Sequence, residues 1–223
     1  MADTKPTIAV IGGTGALGSG FAQRWARAGY PVIIGSRSAE SAAAKAAEMS
    51  ARVKGARVSG LENGAAAAAA DIVVLTVPYA NHLPMLQAVK NGAQGKILVD
   101  ATVPLVPPKV ARVQLPAAGA AAKEAQDFLG EGVQVVSAFQ NVAADLLQDE
   151  ASRIDCDVLV CGNKREARDA VVKLAEAAGL KAWHAGPIDN SAAAEALTSV
   201  LIFINRNGGV GHAGIRITGE TKT

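Results

Sequence analysis

Short apolar runs alternate along the chain with longer segments in which apolar residues recur at helical spacing. Each apolar run has the length of a buried strand, and the alternation is typical of a parallel sheet with helices on both faces. The predicted strands are residues 8–11, 31–35, 56–59, 72–77, 96–100, 133–138, 157–161 and 180–184. The predicted helices are residues 19–28, 39–53, 61–70, 83–89, 117–129, 165–178 and a last one from 190 or 191 to about 205.

The order of these elements predicts an α/β fold of the Rossmann type. The first six strands suit a doubly wound, mainly parallel sheet in the order 3-2-1-4-5-6, with strand 56–59 at an edge. The last two strands and the long final helix extend it. We therefore divide the chain into a core, residues 1–150, and a C-terminal extension of the same domain, residues 151–223, which includes a glycine-rich tail.

A glycine-rich turn follows the first strand. Gly13, Gly15 and Gly18 have the G-x-G-x-x-G spacing between strand 8–11 and helix 19–28. The first glycine allows a tight turn, the second lets the backbone approach a pyrophosphate, and the third lets helix and strand pack closely. The phosphates then lie at the positive end of the helix. The turn predicts a dinucleotide site, and a turn without a ligand is the alternative.

The residues after the second strand predict which dinucleotide binds. A site for NAD places Asp or Glu there to bind the adenosine ribose, whereas this chain has Ser36, Arg37 and Ser38. A guanidinium and two hydroxyls would hold a 2′-phosphate that a carboxylate would repel. We therefore predict NADP in the core 1–150. The alternative is an ordinary solvated Arg37 near a helix N-cap.

Composition and charge narrow the class of protein. The 223 residues are 50% apolar, and the net charge of +2 comes from dispersed charges without a basic stripe, which argues against nucleic-acid binding. No apolar run has the length of a membrane helix, and no signal peptide precedes the first strand. Cys156 and Cys161 would face opposite sides of a strand, so we expect free buried thiols and a cytoplasmic protein.

Ligands of such sheets lie beyond the carboxyl ends of the strands, here after Val77, Asp100 and Ala138. These loops contain no Ser-His-Asp set, paired carboxylates or metal-ligand cluster, and the chain has no Tyr-x-x-x-Lys. Hydride transfer between two bound rings needs mainly positioning, so the lack of acid-base residues in these loops favours that reaction. For His82 we leave open contact with a nucleotide or a capping role, and for His184 we expect a structural role.

The chain resembles the NADPH-dependent F420 reductases, the deazaflavin coenzyme:NADP oxidoreductases. The likeness extends from Ile8 to about Ile217. Beyond generic nucleotide-binding motifs it includes specific marks near the C-terminus. The matching segments are Gly12-Gly13-Thr14-Gly15-x-Leu17-Gly18, Gly35-Ser36-Arg37, Leu75-Thr76-Val77-Pro78, Val136-Ser137-Ala138, Val160-Cys161-Gly162, the run from Ala185 to Ser191, and Asn207-Gly208 with Gly214-Ile215.

The resemblance implies an oxidoreductase that binds NADP(H) and F420, needs no metal, and forms a homodimer through its C-terminal helix. It implies that residues 14–17 bind the pyrophosphate, that Ser36 and Arg37 bind the 2′-phosphate, and that Val77, Val103 and Ala144 line the nicotinamide. The cofactor contacts that we predict are Gly13, Thr14, Gly15, Ala16, Leu17, Gly18, Ser36, Arg37, Ser38, Thr76, Val77, Pro78, His82, Val103 and Ala144. The predicted deazaflavin contacts are Gln140, Asn141, Val142, Ala143 and Ala213. We assign no residue as a catalytic acid or base.

Departures from the family pattern keep alternatives open. Many members have a basic residue where this chain has Ser41, and Lys45 is a possible substitute. Gln140-Asn141-Val142-Ala143 differs from the archaeal pattern, and the tail is one residue longer. A flavin, a pterin or another planar heterocycle therefore remains an alternative acceptor. A non-catalytic NADP(H)-sensing protein is a third hypothesis.

Overall fold

Eight strands and eight α-helices alternate along the chain, in a computed structural model that describes residues 5–149 and 152–220. The strands are Ile8–Ile11 (β1), Val32–Ser36 (β2), Val58–Glu62 (β3), Ile72–Leu75 (β4), Ile97–Asp100 (β5), Gln134–Ser137 (β6), Asp157–Gly162 (β7) and Lys181–Gly186 (β8). The helices are Ala16–Arg27 (α1), Ala39–Arg52 (α2), Asn63–Ala69 (α3), His82–Val89 (α4), Ala121–Leu129 (α5), Ala144–Gln148 (α6), Arg165–Ala177 (α7) and Ser191–Asn207 (α8). Short 3₁₀ helices, Tyr79–Asn81 and Ile188–Asn190, precede α4 and α8.

The strands form one sheet in the order β3-β2-β1-β4-β5-β6-β7-β8. The predicted order of the first six strands is confirmed, with β3 at the edge. All pairs are parallel except β6 with β7, which are antiparallel, so β7 and β8 run opposite to the rest. The carboxyl ends of β1, β2, β4, β5 and β6 therefore meet at one edge, where the predicted ligand loops lie. The predicted domain boundary falls at residues 150 and 151, outside the described residues.

Alternate residues of the buried strands face two apolar cores. Ile8 and Val10 face the side covered by α1, α2, α6 and α7, whereas Ala9 and Ile11 face α3, α4 and α5. Three aromatic rings fill the first core near the ligand edge. The ring centroid of Phe21 lies 5.1 Å from that of Trp25 and 4.5 Å from that of Phe139.

Several element boundaries differ from the predictions for local reasons. The first helix begins at Ala16 rather than residue 19, because Gly15 takes the extended N-cap conformation and glycines at 18 and 20 are tolerated inside. The third helix begins at Asn63 rather than 61, because Leu61 pairs with β2. Helix α5 begins at Ala121 rather than 117, after Gly119 at φ +90°. Helix α6 was not predicted at all.

The cysteines agree with the expectation drawn from the sequence, since Cys156 and Cys161 are both free and buried. Cys156 immediately precedes β7, in line with the predicted strand 157–161, and Cys161 lies within it. Among the described residues, no helix is both long and apolar enough to cross a membrane.

Candidate functional site

The glycine-rich turn is held tightly against the sheet. Gly12 has a φ of +80°, which favours glycine, and a Cβ there would lie 2.9 Å from the carbonyl oxygen of Thr76. A Cβ on Gly18 would lie 2.5 Å from Thr76 Oγ1 and 2.8 Å from Gly12 O. Thr76 itself donates its hydroxyl to Ile11 O at 2.9 Å. The first turn of α1 is therefore packed directly on the ends of β1 and β4.

Gly15, by contrast, lies at the exposed tip of the turn. Among the described residues other than its two chain neighbours, a Cβ on it would have one neighbour within 4 Å, Gly12 O at 3.3 Å, and its φ of −75° suits any residue. The first amide of α1 that bonds back along the backbone is that of Ser19, to Gly15 O. Among the described residues, the amides of 16–18 have no backbone acceptor, so they are available to an anion.

The end of β2 presents an exposed cation next to this turn. Ser36 is half-buried, and Arg37 is exposed, with no hydrogen bond or ion pair to another described residue. The Ser38 hydroxyl accepts from the amide of Ser41 at 3.3 Å and caps α2. Lys45, considered above as a substitute cation, is instead paired with Glu48 at 2.9 Å in its own helix. Of the two cations, Arg37 is the one left for a phosphate, and Ser36 lies beside it.

Three neighbouring strands bring the predicted nicotinamide contacts to one edge. Thr76, Val77 and the exposed Pro78 follow β4, Val103 follows β5, and Ala144 begins α6 after β6. Val77, Val103 and Ala144 are half-buried. Each of these side chains is therefore packed on one side and can offer apolar surface to a ring on the other.

His82 does not face this edge as a free side chain. It is the first residue of α4, it is 2% exposed, and its Nε2 lies 2.7 Å from Asp100 Oδ2. Burial lowers the pKa of His82, but the hydrogen bond and charge of Asp100, together with the charges of Glu124 and Glu195, outweigh that effect, so the pKa is raised. A side chain with so little surface has none to offer a ribose or phosphate. The structure thus favours neither the nucleotide contact nor the capping role considered above.

The predicted deazaflavin contacts surround one cavity of about 280 Å³. Its walls come from the loop after β6, from α8 and from the tail. The lining residues are Gln140, Asn141, Val142, Ala143, Asp145, Thr198, Leu201, Ile202, Asn205, His212 and Ala213. All five predicted deazaflavin contacts are among them, although Ala143 and Ala213 are far apart in the sequence.

The amide side chains of this loop are committed to the protein. Gln140 is 6% exposed, and its Nε2 donates to Asp100 O and to Ser137 Oγ, each at 2.8 Å. Asn141 Nδ2 donates to Cys156 Sγ and to Asp157 O, each at 2.9 Å. These nitrogens are not free donors for a ligand, so the two residues shape the cavity wall instead.

The loop begins with strained backbone. Phe139 has a φ of +77°, unusual for a bulky residue, and its ring is anchored in the aromatic core. Strain of this kind costs on the order of 1–3 kcal/mol and persists only where the surroundings determine it. The reversal at Phe139 directs residues 140–143 along the ligand edge.

Helix α6 joins the two halves of the site. Gln148 Nε2 donates to Ala16 O at 3.0 Å, and a Cβ on Gly20 would lie 2.7 Å from Leu147 Cβ. The Arg24 guanidinium donates to five backbone carbonyls and fixes the path of this segment. These carbonyls belong to Leu146, Leu147, Asp149, Ser152 and Ala178. The loop that lines the cavity is thereby attached to the helix that would receive the phosphates.

A buried carboxyl group, that of Glu195, interacts with the charges of Asp100 and His82. Glu195 of α8 is 1% exposed and accepts from the amides of Ala121 at 2.7 Å and Ala122 at 3.1 Å, at the start of α5. Burial raises the pKa of Glu195 to about 8, although both hydrogen bonds favour the ionised form. The negative charge of Asp100 raises it further, and His82 lowers it.

Sequence reasoning missed Asp100, Glu195 and Gln148 as parts of the site. A signal existed for the first two: each is a lone charge in an apolar stretch, Ile97–Asp100 and the first turns of α8. The pairing of Gln148 with Ala16 depends on tertiary contact and has no local signal. In the part of the chain that is described, no three His, Cys, Asp or Glu residues are arranged to hold a metal ion.

Comparison with known proteins assigns the chain to a family. A family model described as "NADP oxidoreductase coenzyme F420-dependent" matches residues 7–104. A protein from Methanothermobacter thermautotrophicus, named F420-dependent NADP reductase, is 42% identical over 219 residues, which are 95% of this chain and 94% of the relative. The chain belongs to the F420-dependent NADP reductase family. A family member of the same name from Methanocaldococcus jannaschii is 41% identical over 219 residues, covering 95% and 97%.

Solved structures agree with this family and with the fold. A crystal structure from Arthrobacter sp. FB24, provisionally named an F420-dependent NADP-reductase, matches with a TM-score of 0.79 and 27% identity, covering 96% of this chain and all of that one. An imine reductase from Myxococcus stipitatus in complex with NAD⁺ matches with a TM-score of 0.63 and 19% identity, covering 92% and 61%. The second likeness supports the fold alone.

We predict that Gly15→Val weakens dinucleotide binding without unfolding the protein. The new side chain requires only a small shift of Gly12 O, 3.3 Å from its Cβ, but it projects where a pyrophosphate would approach the backbone. Calorimetry should show NADPH affinity reduced by about tenfold or more, roughly 1.4 kcal/mol, with Tm almost unchanged. Gly18→Val is the matched contrast and should lower Tm, since its Cβ meets atoms closer than 3.0 Å. Unchanged NADPH affinity in the Gly15 variant would contradict this assignment.

Glu195 gives the stability a pH dependence. Its carboxyl keeps a proton in the folded state up to about pH 8, whereas the unfolded chain loses it near 4.5. Between pH 4.5 and about pH 8, folding therefore takes up a proton, and the free energy of unfolding falls as the pH rises through this range. His82, whose pKa is also raised, contributes a fall in the same direction. Glu195→Gln should reduce the difference in Tm between pH 5 and pH 8.5; an unchanged difference would refute this role.

Proposed function

We propose that this protein transfers a hydride directly between NADP(H) and the deazaflavin coenzyme F420. The observation that supports this most is the single cavity lined by all five predicted deazaflavin contacts, beside the edge where NADP(H) is expected. The relatives named F420-dependent NADP reductase, at about 40% identity over nearly the whole chain, favour the same activity.

The residues present suit NADP(H). The exposed tip at Gly15 and the amides of residues 16–18 would receive the pyrophosphate, and Arg37 with the Ser36 hydroxyl would hold the 2′-phosphate. The half-buried Val77, Val103 and Ala144 would support the nicotinamide from the apolar side. Gly13 acts by allowing close packing rather than by binding, whereas Gly18 both packs closely and keeps a free amide.

The reaction requires little acid-base catalysis by the protein. NADPH gives up a hydride and becomes NADP⁺, while the deazaflavin takes the hydride and a proton from water. The chain's task is to hold the two rings at a reacting distance of about 3–3.5 Å and to exclude water. A cavity of 280 Å³ is below the roughly 300–1,000 Å³ of pockets that bury whole ligands, so it suits one ring rather than an entire coenzyme.

A homodimer through α8 is part of this proposal. Val200, Phe203 and Ile204 are exposed on α8 by 44%, 56% and 36%. The exposed Val113 and Leu115 belong to a loop that α8 contacts, since the Ser199 hydroxyl donates to Arg112 O. An apolar surface of this kind supports association with a second copy, as the family resemblance implies.

Mixing the purified protein with NADPH and F420 tests the function. We expect rapid loss of the deazaflavin's visible absorbance with NADPH and a much slower loss with NADH, because NADH lacks the 2′-phosphate. Absence of reaction, despite NADPH binding by calorimetry, would reject F420 as acceptor. The altered residues 140–143 would then favour a flavin or pterin, to be tested in the same assay. Binding without turnover on any acceptor would favour an NADP(H) sensor.

Arg37→Glu tests the selectivity for NADP. The substitution replaces an exposed, unpaired cation by a carboxylate that repels the 2′-phosphate. NADPH affinity should fall by about tenfold or more while NADH affinity changes little, since each factor of ten corresponds to about 1.4 kcal/mol. Lys54→Glu, beyond the far end of α2, makes the same charge change and should leave both affinities unaltered. Equal losses in the two variants would attribute the effect to net charge instead.

A further inference from the structure

One buried pair, His82 with Asp100, touches all three loops that carry the predicted ring contacts. His82 begins α4 and fixes the end of the loop after β4, which contains Val77. Asp100 is the last residue of β5 and immediately precedes the loop that contains Val103. Its two side-chain oxygens have different partners, so it can hold both loops at once.

The contacts of the Asp100 side chain define this role. Oδ2 lies 2.7 Å from His82 Nε2, and Oδ1 accepts from the amide of Thr102 at 2.9 Å. Asp100 is 0% exposed, His82 2% and Thr102 2%. The carboxylate therefore fixes the first turn of the loop after β5 against the first turn of α4.

The main chain of Asp100 extends the connection to the third loop. Its carbonyl oxygen accepts from Gln140 Nε2 at 2.8 Å and from the amide of Ala138 at 3.2 Å. The carbonyl of Gln140 in turn accepts from Thr198 Oγ1 at 2.9 Å. The position of Asp100 thus reaches the cavity wall formed by residues 140–143 and by α8.

We propose that His82 and Asp100 are positioning residues that set the separation of the two rings during hydride transfer. The inference rests on the proposed function, in which Val77 and Val103 support one ring and the loop of residues 140–143 supports the other. The pair touches neither ring. It acts through the loops whose relative positions it determines.

The expected effect is on the rate of transfer and not on the binding of NADP(H). The groups proposed for the phosphates, the turn at Gly15 and the cation of Arg37, have no hydrogen bond to the pair. A displacement of about 1 Å between reacting atoms can slow a reaction on the order of a hundredfold. Loosening the three loops should therefore lower the transfer rate much more than the affinity.

The test compares His82→Phe with His82→Gln. Phenylalanine keeps a planar ring but leaves Asp100 Oδ2 without a donor, whereas the side-chain amide of glutamine can donate to it. In single-turnover mixing with NADPH and F420, the Phe variant should transfer hydride at least about tenfold more slowly, and the Gln variant should recover most of the rate. NADPH affinity should stay within about twofold in both.

Leu174→Ala is the control for lost stability. Leu174 is buried in α7, in the core on the other face of the sheet from α4, and its truncation lowers Tm without touching these loops. At a temperature where every variant is folded, its transfer rate should equal that of the unaltered protein. If Leu174→Ala and His82→Phe slow the reaction equally, or if His82→Phe does not slow it, the positioning role is refuted.

Hydrogen exchange separates this inference from the proposed function. In His82→Phe, exchange should increase at the amides of Thr102 and Val142 as well as in α4, and remain unchanged in the turn at Gly15. Faster exchange confined to α4 would overturn the inference. This measurement needs no acceptor, so it decides whether the pair couples the three loops even if the unaltered protein proves inactive with F420.

Discussion

The burial of Asp100 at the end of a central strand constrains the positions of the loops after β4, β5 and β6. An ionised carboxylate removed from water is stabilised only when its oxygens are all occupied, and breaking such a buried pair typically costs about 3–5 kcal/mol. Here the imidazole of His82 and the amide of Thr102 supply the partners, and the carbonyl of the same residue binds Gln140. The loops after three strands therefore cannot shift independently, which suits a site whose chemistry is the alignment of two rings.

Most of the fold was accessible to sequence reasoning, because the signals are local. Four apolar residues in a row near a glycine-rich turn or a proline, as in β1 and β4, predict buried strands. The errors arose where distant parts of the chain decide. Leu61 and Glu62 follow helical spacing but pair with β2, and five residues of α6 are helical because Arg24 and Gly20 hold them against α1. No local pattern reveals that β7 reverses direction, since strand polarity depends on the path of the preceding loop.

The site residues remain a prediction. The sequence indicated which of them lie together, but not how their polar side chains are hydrogen-bonded. Gly15 and Arg37 have the exposure expected of phosphate contacts, and Gln140 and Ala213 border one cavity. The direction of polar side chains was not predictable, however. His82, Gln140 and Asn141 all turn their donors into the protein, because each finds a buried acceptor that belongs to another strand or loop. Glu195 shows the same limit, since a charge inside an apolar helix has no apparent partner until α5 is placed beside it.

The reversal at β7 has a consequence for how this architecture could diversify. Because β7 and β8 run opposite to the other strands, their carboxyl ends deliver no loops to the ligand edge. Among the described residues that follow β7, those that line the cavity belong to α8 and the tail. The predicted NADP(H) contacts, except Ala144, all lie before about residue 104, within the span that the family model matches. Under the proposed function, acceptor preference lies in a separate and later stretch of the chain. Exchange of that stretch between relatives would then alter what is reduced while the source of hydride is inherited unchanged.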